Sequence, residues 1–321
     1  MNFFVINLKK YFFSVLFLLF LVCLIMFSST NLAAAKDGLA LWVNYVLPSL
    51  FPFFIASELI LQTNLPYVLG KILNPFMKPI FNVSGEGSIA IILGTLTGNP
   101  IGAKTICNLK KEKLISKLEA ERLIAFCNNT SPLFILGTVG ILLYNSTRTG
   151  YILLISHILA SLLVGLCFRF WKRNRLDITY NETRFNSLNN PIKISEFGNI
   201  LGTAIKNSIN SCMQVGGFIV LFSIIISIIQ NSRISFESQE INTLFYGFIE
   251  MTNGINLSSN MYSIVPITSV LLSSFFIGFG GISIMFQVYS IIAKENISIK
   301  PYIYGKLLQA FFSSIITFIL I

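Results

Sequence analysis

Long stretches of this chain hold almost no charge, and no other feature constrains its fold as much. Residues 11–28, 151–171 and 217–229 are apolar runs. About 20 such residues cross the hydrocarbon core of a bilayer. Backbone groups in lipid must pair within their own segment, so runs of this kind are helical. Only 11% of the 321 residues are charged and 54% are hydrophobic. A soluble domain carries about 25% charge. A chain this apolar cannot cover a globule with polar surface, so its solvent is lipid.

The net charge is +10. The Lys/Arg bias of cytosolic loops accounts for that better than a nucleic-acid partner, and no nucleic acid is expected. Cys23, Cys107, Cys127, Cys167 and Cys212 lie in or beside apolar stretches without a CxxC pair. They read as small apolar side chains, and neither metal nor cofactor is expected. Lys9 and Lys10 precede the first apolar run and Ala33-Ala34-Ala35 follows it, as in a signal peptide. The run is long for that role and more spans follow, so the first helix is expected to be retained.

Further along, spans are expected at 39–61, 122–143, 209–230 and 302–321. Residues 62–83 mix Lys71 and Lys78 with Pro66, Pro75 and Pro79, which reads as a kinked interfacial helix. The expected organisation is an N-terminal helix and loop at 1–38 and a first repeat with linking spans at 39–171. A cytosolic polar connector at 172–208 and a second repeat with a C-terminal span at 209–321 complete it. With the N-terminus in the cytosol and 86–108 as a re-entrant hairpin, most of the 23 basic residues fall inside. Lys36, Arg148 and Arg233 fall outside, and Lys294, Lys300 and Lys306 stay unassigned.

The two halves share a layout. Each opens with a span, passes an amphipathic or broken helix, and reaches an apolar stretch with a glycine-rich centre. The first centre is Gly94-Thr95-Leu96-Thr97-Gly98-Asn99-Pro100-Ile101-Gly102, the second Gly278-Phe279-Gly280-Gly281-Ile282-Ser283. Span two starts outside and the span at 209–230 starts inside, so the repeats run antiparallel. The expected fold class is therefore an all-α polytopic membrane protein. It has inverted repeats, two re-entrant helical hairpins at 86–108 and 262–292, and broken helices, with a small-molecule site near the midplane.

Backbone left unpaired at membrane depth is buried in protein or lines a cavity. Thr97, Gly98, Asn99, Pro100 and Gly102 at the first tip, and Gly280, Gly281 and Ser283 at the second, are thus candidates to face a ligand. Asn128-Asn129-Thr130-Ser131-Pro132 interrupts an otherwise apolar span and predicts an unwound segment in contact with substrate or ion. Glu250, followed by Met251, Thr252, Asn253 and Gly254, is an acid at depth, suited to a coupling proton or cation. Lys104 either attracts an anionic substrate at a helix N-terminus or snorkels to the cytosolic face. Glu86 opens the first hairpin, as a ligand or as a partner of the helix dipole. His157, the only histidine, reads as a packing residue ahead of a proton relay. Asp37 and Asp177 are the only aspartates and lie in loops, which removes an intramembrane aspartyl dyad. No GxSxG, HExxH or Walker A motif occurs, so an enzyme is not expected.

The segments that carry a family likeness are Leu47-Pro48-Ser49-Leu50-Phe51-Pro52-Phe53-Phe54, Gly85-Glu86-Gly87 and Thr97-Gly98-Asn99-Pro100-Ile101-Gly102-Ala103-Lys104. With them go Glu119-Ala120-Glu121-Arg122-Leu123, Asn128 to Phe134, Glu250 to Gly254 and Gly278 to Ser283. Together they resemble the YlbJ-type sporulation integral membrane proteins, a gate or nucleoside-recognition family, from about residue 40 to the C-terminus. The resemblance implies kinship with concentrative nucleoside transporters and with the gate regions of ferrous-iron transport protein B. It implies passage of dipicolinic acid from mother cell towards forespore, through the outer forespore membrane of a spore-forming bacterium. One departure concerns Ile284-Met285-Phe286-Gln287, where the family pattern is more polar. Gln287 is left as the strong hydrogen-bonding side chain after Ser283. The expected partners are a small-molecule substrate, membrane lipid, a coupling proton or cation, and further copies of the chain. Two alternatives stay open: a carrier of nucleosides or another cation-coupled solute, and a non-transporting scaffold for spore assembly.

Overall fold

The computed structural model describes residues 2–63, 65–172, 194–232 and 238–321, which are helical with turns and carry no strand. Helices α1 (Asn2–Met26) and α2 (Ser28–Leu41) meet at 98° around Phe27. Two side chains serve backbone acceptors at the bend. Asn31 Nδ2 donates to the Cys23 carbonyl (3.1 Å) and Thr30 Oγ1 to that of Phe27 (3.0 Å). Phe17 and Ile25 are 65% and 70% exposed. Lipid is the medium that covers such a helix.

The second span starts earlier than expected. α2 runs through a π-helical turn, Trp42–Val46, into α3 (Leu47–Leu61). The Leu47 amide donates to the Trp42 carbonyl across that wide turn. Pro48 and Pro52 supply no backbone donor, and a π-turn is one way a helix absorbs such gaps. The interfacial helix appears as α4 (Leu65–Phe81), which meets the following helix at 92°. It exposes Ile72 and Phe76 together with Lys71 and Lys78.

The first hairpin is present. α5 (Ser88–Leu96) and α6 (Ile101–Lys111) fold back on each other at 97–100. Their arms cross on glycine: a Cβ on Gly94 would lie 3.0 Å from Gly102 Cα and 1.7 Å from the Cys127 carbonyl oxygen. α7 (Lys117–Ile124) starts on a capping box, in which Ser116 Oγ accepts from the Glu119 amide (3.1 Å) and Glu119 Oε2 from the Ser116 amide (2.8 Å). The chain then unwinds through 125–131 and resumes as a π-helix, Phe134–Leu143, before α8 (Thr147–Phe168). Asn128 to Ser131 of the expected unwound segment lie within that stretch, and Pro132 begins the next helix.

Of the expected connector, residues 173–193 lie outside the described residues. Residues 194–208 already belong to α9 (Ile194–Asn231). The rest is α10 (Gln239–Ile249), α11 (Met251–Asn260), α12 (Pro266–Phe279), α13 (Gly281–Ile292) and α14 (Lys300–Leu320).

Here one expectation is corrected. Residues 262–292 do not fold back: α12 and α13 run on as one 30-residue apolar element, Pro266–Glu295, interrupted at Gly280. α12 ends as the Gly280 amide donates to the Phe276 carbonyl (2.8 Å), and α13 begins at the next residue. The second hairpin is α10–α11, with Glu250 at its tip. A Cβ on Gly254 would lie 2.3 Å from Gly247 Cα, and Thr243 Oγ1 lies 3.5 Å from Met261 Sδ, so the arms lie side by side. The counterpart of the Thr97–Pro100 tip is therefore Glu250. The counterpart of the Asn128–Ser131 break is Gly280-Gly281.

Each repeat thus contains a span (α3 or α9), a hairpin (α5–α6 or α10–α11), a broken span (α7 with the π-helix, or α12–α13) and a closing span (α8 or α14). α8 and α14 pack along each other at the join. A band of polar groups marks one face of the molecule. Arg122 donates to the carbonyls of Asn82 (2.7 Å) and Trp171 (3.2 Å), and Lys172 pairs with Glu121 at 2.6 Å. Lys110 approaches Glu295 at 3.7 Å on that face, which places Lys294 beside the basic block of α6. Toward the opposite end, Tyr144 Oη bonds Ser269 Oγ (2.8 Å) and Ser273 Oγ (2.7 Å).

Candidate functional site

Each broken span is held open by the tip of its own hairpin. In the first repeat Gly98 has φ of +91°, a conformation that glycine adopts without a Cβ clash. A Cβ there would also meet Ser131 Cβ at 2.8 Å. With its side-chain nitrogen assigned to face the break, Asn99 donates to the carbonyls of Asn128 (3.1 Å) and Asn129 (3.2 Å). In return Asn128 Oδ1 accepts from the Ala103 amide at 3.3 Å, and the Asn129 amide donates to the Gly94 carbonyl at 3.4 Å. Thr97 bonds the Leu93 carbonyl, and Pro100 accepts from the Lys104 amide (3.1 Å). Unwound backbone at membrane depth is thus satisfied by protein.

The second repeat does the same with different residues. Glu250 is extended, and its carboxylate caps α11: it accepts from the amides of Thr252 (3.0 Å) and Asn253 (2.8 Å) and from Asn253 Nδ2 (3.0 Å). A carboxylate at a helix N-terminus is favoured by the helix dipole. Gly280 and Gly281 have φ of +85° and +79°. A Cβ on Gly281 would lie 3.0 Å from the Met251 amide nitrogen, so the tip sits directly against the break.

The two breaks touch. Thr130 Oγ1 donates to the Ile277 carbonyl (3.2 Å), in the last turn of α12, and lies 3.7 Å from Met251 Sδ at the second tip. Behind Thr130 is a buried network. The Thr130 amide donates to His157 Nε2 (3.2 Å), Gln309 Nε2 donates to Asn129 Oδ1 (2.8 Å) and lies 3.4 Å from His157 Nδ1, and Asn129 Nδ2 donates to Ser161 Oγ (3.1 Å). His157 therefore holds the unwound strand.

A model of the Gate family, described as nucleoside recognition, matches residues 43–143. The sporulation integral membrane protein YlbJ of Bacillus subtilis (strain 168) is 34% identical over 331 aligned positions, covering 95% of this chain and 81% of that protein. The chain belongs to the YlbJ family. No solved structure matches it. The YlbJ family is one of integral membrane proteins, in keeping with the four helices, or up to six spans with each bent pair as one, that are long and apolar enough to cross a bilayer among the described residues. The Gate match holds the first hairpin and first break. The second hairpin and second break lie beyond it in this YlbJ-family chain.

Of the remaining expected residues, Gly102 lies against the first break, while Lys104 is engaged elsewhere. Lys104 pairs with Glu58 at 2.8 Å and donates to Ser211 Oγ at 2.8 Å. Asn207 Nδ2 also reaches Glu58 (2.9 Å), so Lys104 ties α6 to α3 and α9, with its charge matched. Ser283 and Gln287 are buried on α13, and Gln287 Nε2 has no hydrogen-bond partner. Gly102 lies under the Cys127 carbonyl, 2.1 Å from where its Cβ would be. Sequence reading missed Glu58, Gln309 and Lys306. For Lys306 a signal existed, because it is the only charged residue in the otherwise apolar stretch 301–321.

Proposed function

We propose that this protein is a membrane carrier of a small anionic metabolite, with dipicolinate moving into the forespore across the outer forespore membrane as its cargo. One observation carries the reading: two unwound helix breaks, each propped by a hairpin tip, meet at Thr130 in the interior of a membrane protein. Broken helices that face each other across an inverted repeat recur where transporters bind cargo at mid-depth. A scaffold needs no such paired breaks. The sporulation relative supports the setting. Coupling to a proton or cation at Glu250 belongs to the same proposal.

A second reading, carriage of a nucleoside, is favoured by the description of the Gate family model. Both are tested by uptake of radiolabelled dipicolinate and of uridine into proteoliposomes holding the purified protein. Saturable dipicolinate uptake that falls about thirtyfold in Asn99→Ala supports the carrier, since two hydrogen bonds of about 1 kcal/mol each would be lost. Uridine uptake alone favours the second reading. Uptake of neither by folded protein favours the scaffold.

A further inference from the structure

Lys306, on α14, is 1% exposed and has no carboxylate partner among the described residues. Its Nζ donates to Gln309 Oε1 at 2.9 Å and lies 5.9 Å from the Tyr302 ring centroid. An ammonium has three donors, so one hydrogen bond leaves most of its capacity unused. The acids that might have matched it are engaged. Glu58 pairs with Lys104, Glu121 with Lys172 and Glu295 with Lys110, while Glu250 caps α11. Keeping such an amine charged without a counter-charge is costly, and an ionisable side chain within a membrane marks function by default.

The position is as informative as the charge. A Cβ on Gly305 would lie 2.2 Å from the Ala125 carbonyl oxygen, so the backbone of α14 beside Lys306 presses on the unwound segment of the first break. Gln309, which holds the ammonium, also donates to Asn129 Oδ1 at 2.8 Å. The cation is therefore one amide away from the break.

We propose that Lys306 supplies the positive charge that a carboxylate of the cargo neutralises, with Gln309 holding the ammonium beside Asn129. This rests on the reading of the protein as a carrier of an anion. Binding of a carboxylate would complete an ion pair that the empty protein leaves open. A neutral nucleoside gains nothing from that charge.

The test uses the purified full-length protein, with dipicolinate and its neutral analogue pyridine-2,6-dicarboxamide as probes and the melting temperature as readout. In the unaltered protein dipicolinate should raise the melting temperature and the diamide should need about tenfold more to match it. Lys306→Met should melt no lower than the parent without ligand and should lose the dipicolinate-dependent rise. Lys306→Arg, which keeps the charge, should retain it. Equal stabilisation by both probes overturns the proposal, and that measurement needs no variant. A dipicolinate response unchanged in Lys306→Met, in protein that takes up dipicolinate, overturns this inference alone. Uptake of uridine without dipicolinate overturns the anion-carrier reading and this inference together.

Discussion

Lys104 and Glu58 show how one neighbour changes the meaning of a charge. By position Lys104 follows the first hairpin tip and looks placed for an anion. The pair at 2.8 Å, with Asn207 and Ser211 completing it, makes it a brace between the hairpin and the α3–α9 frame. Glu58→Ala strips the counter-charge from a partly buried ammonium, and a loss of about 2 kcal/mol is expected, somewhat under the value for fully buried pairs. Lys104→Met combined with Glu58→Leu should lose less than the two single changes added together, a coupling that thermal unfolding in detergent measures directly. The glycines behave differently. Gly281→Ala would put a Cβ at φ of +79° and 3.0 Å from the Met251 nitrogen, so about 1 to 2 kcal/mol of stability should go. Gly217→Ala has open space around it and sits in the interior of α9, so it should be neutral or raise the melting temperature slightly. Equal effects at the two glycines would show that backbone conformation at the break does not matter.

At the scale of elements, the first repeat was legible and the second was mispaired. Thr97-Gly98-Asn99-Pro100 punctuates its hairpin with residues that end helices, and Asn128 to Pro132 does the same for its break. In the second repeat the roles are filled by other residues. The hairpin turns at Glu250, which is neither Gly nor Pro, while the break is made by Gly280-Gly281, the stronger turn signal. Whether a helix folds back there depends on close packing between its arms. The small residues that allow it, Gly247 and Gly254, were visible but carry no mark of partnership in sequence. Lys306 carried a signal as the only charge in 301–321, and the structure adds that no carboxylate pairs with it among the described residues. The contact between Thr130 and Met251 at 3.7 Å joins the first break to the second hairpin. If carriage requires the second hairpin to move against that break, a Thr130→Cys, Met251→Cys pair in a background without the native cysteines should stop uptake when oxidised. Reduction should restore it. Full uptake with the disulfide formed would fix the moving part elsewhere.

For the whole molecule, a hairpin at α10–α11 and a continuous α12–α13 predict the direction of the second half. Counted as one crossing each, α3, the α7 span and α8 in the first repeat, and α9, the α12–α13 span and α14 in the second, give each repeat an odd number of crossings. Hairpins return to the side they left and add nothing to the count. An odd count forces the second repeat to enter from the opposite side, so the halves are inverted. The loop between α13 and α14 then shares one side with the basic block of α6, as the approach of Lys110 to Glu295 requires, and the Lys/Arg bias makes the cytosol the expected side. Had 262–292 been a hairpin, both of its ends would emerge on one side. Single cysteines separate the cases, placed at Glu112, Ser298, Arg148 and Ser263 in a background without the native cysteines. An impermeant thiol reagent should label the first two only in inside-out vesicles and the last two only in right-side-out ones. Labelling of Ser298→Cys and Ser263→Cys from the same side would return α12–α13 to a hairpin and remove the inverted symmetry on which the facing breaks depend.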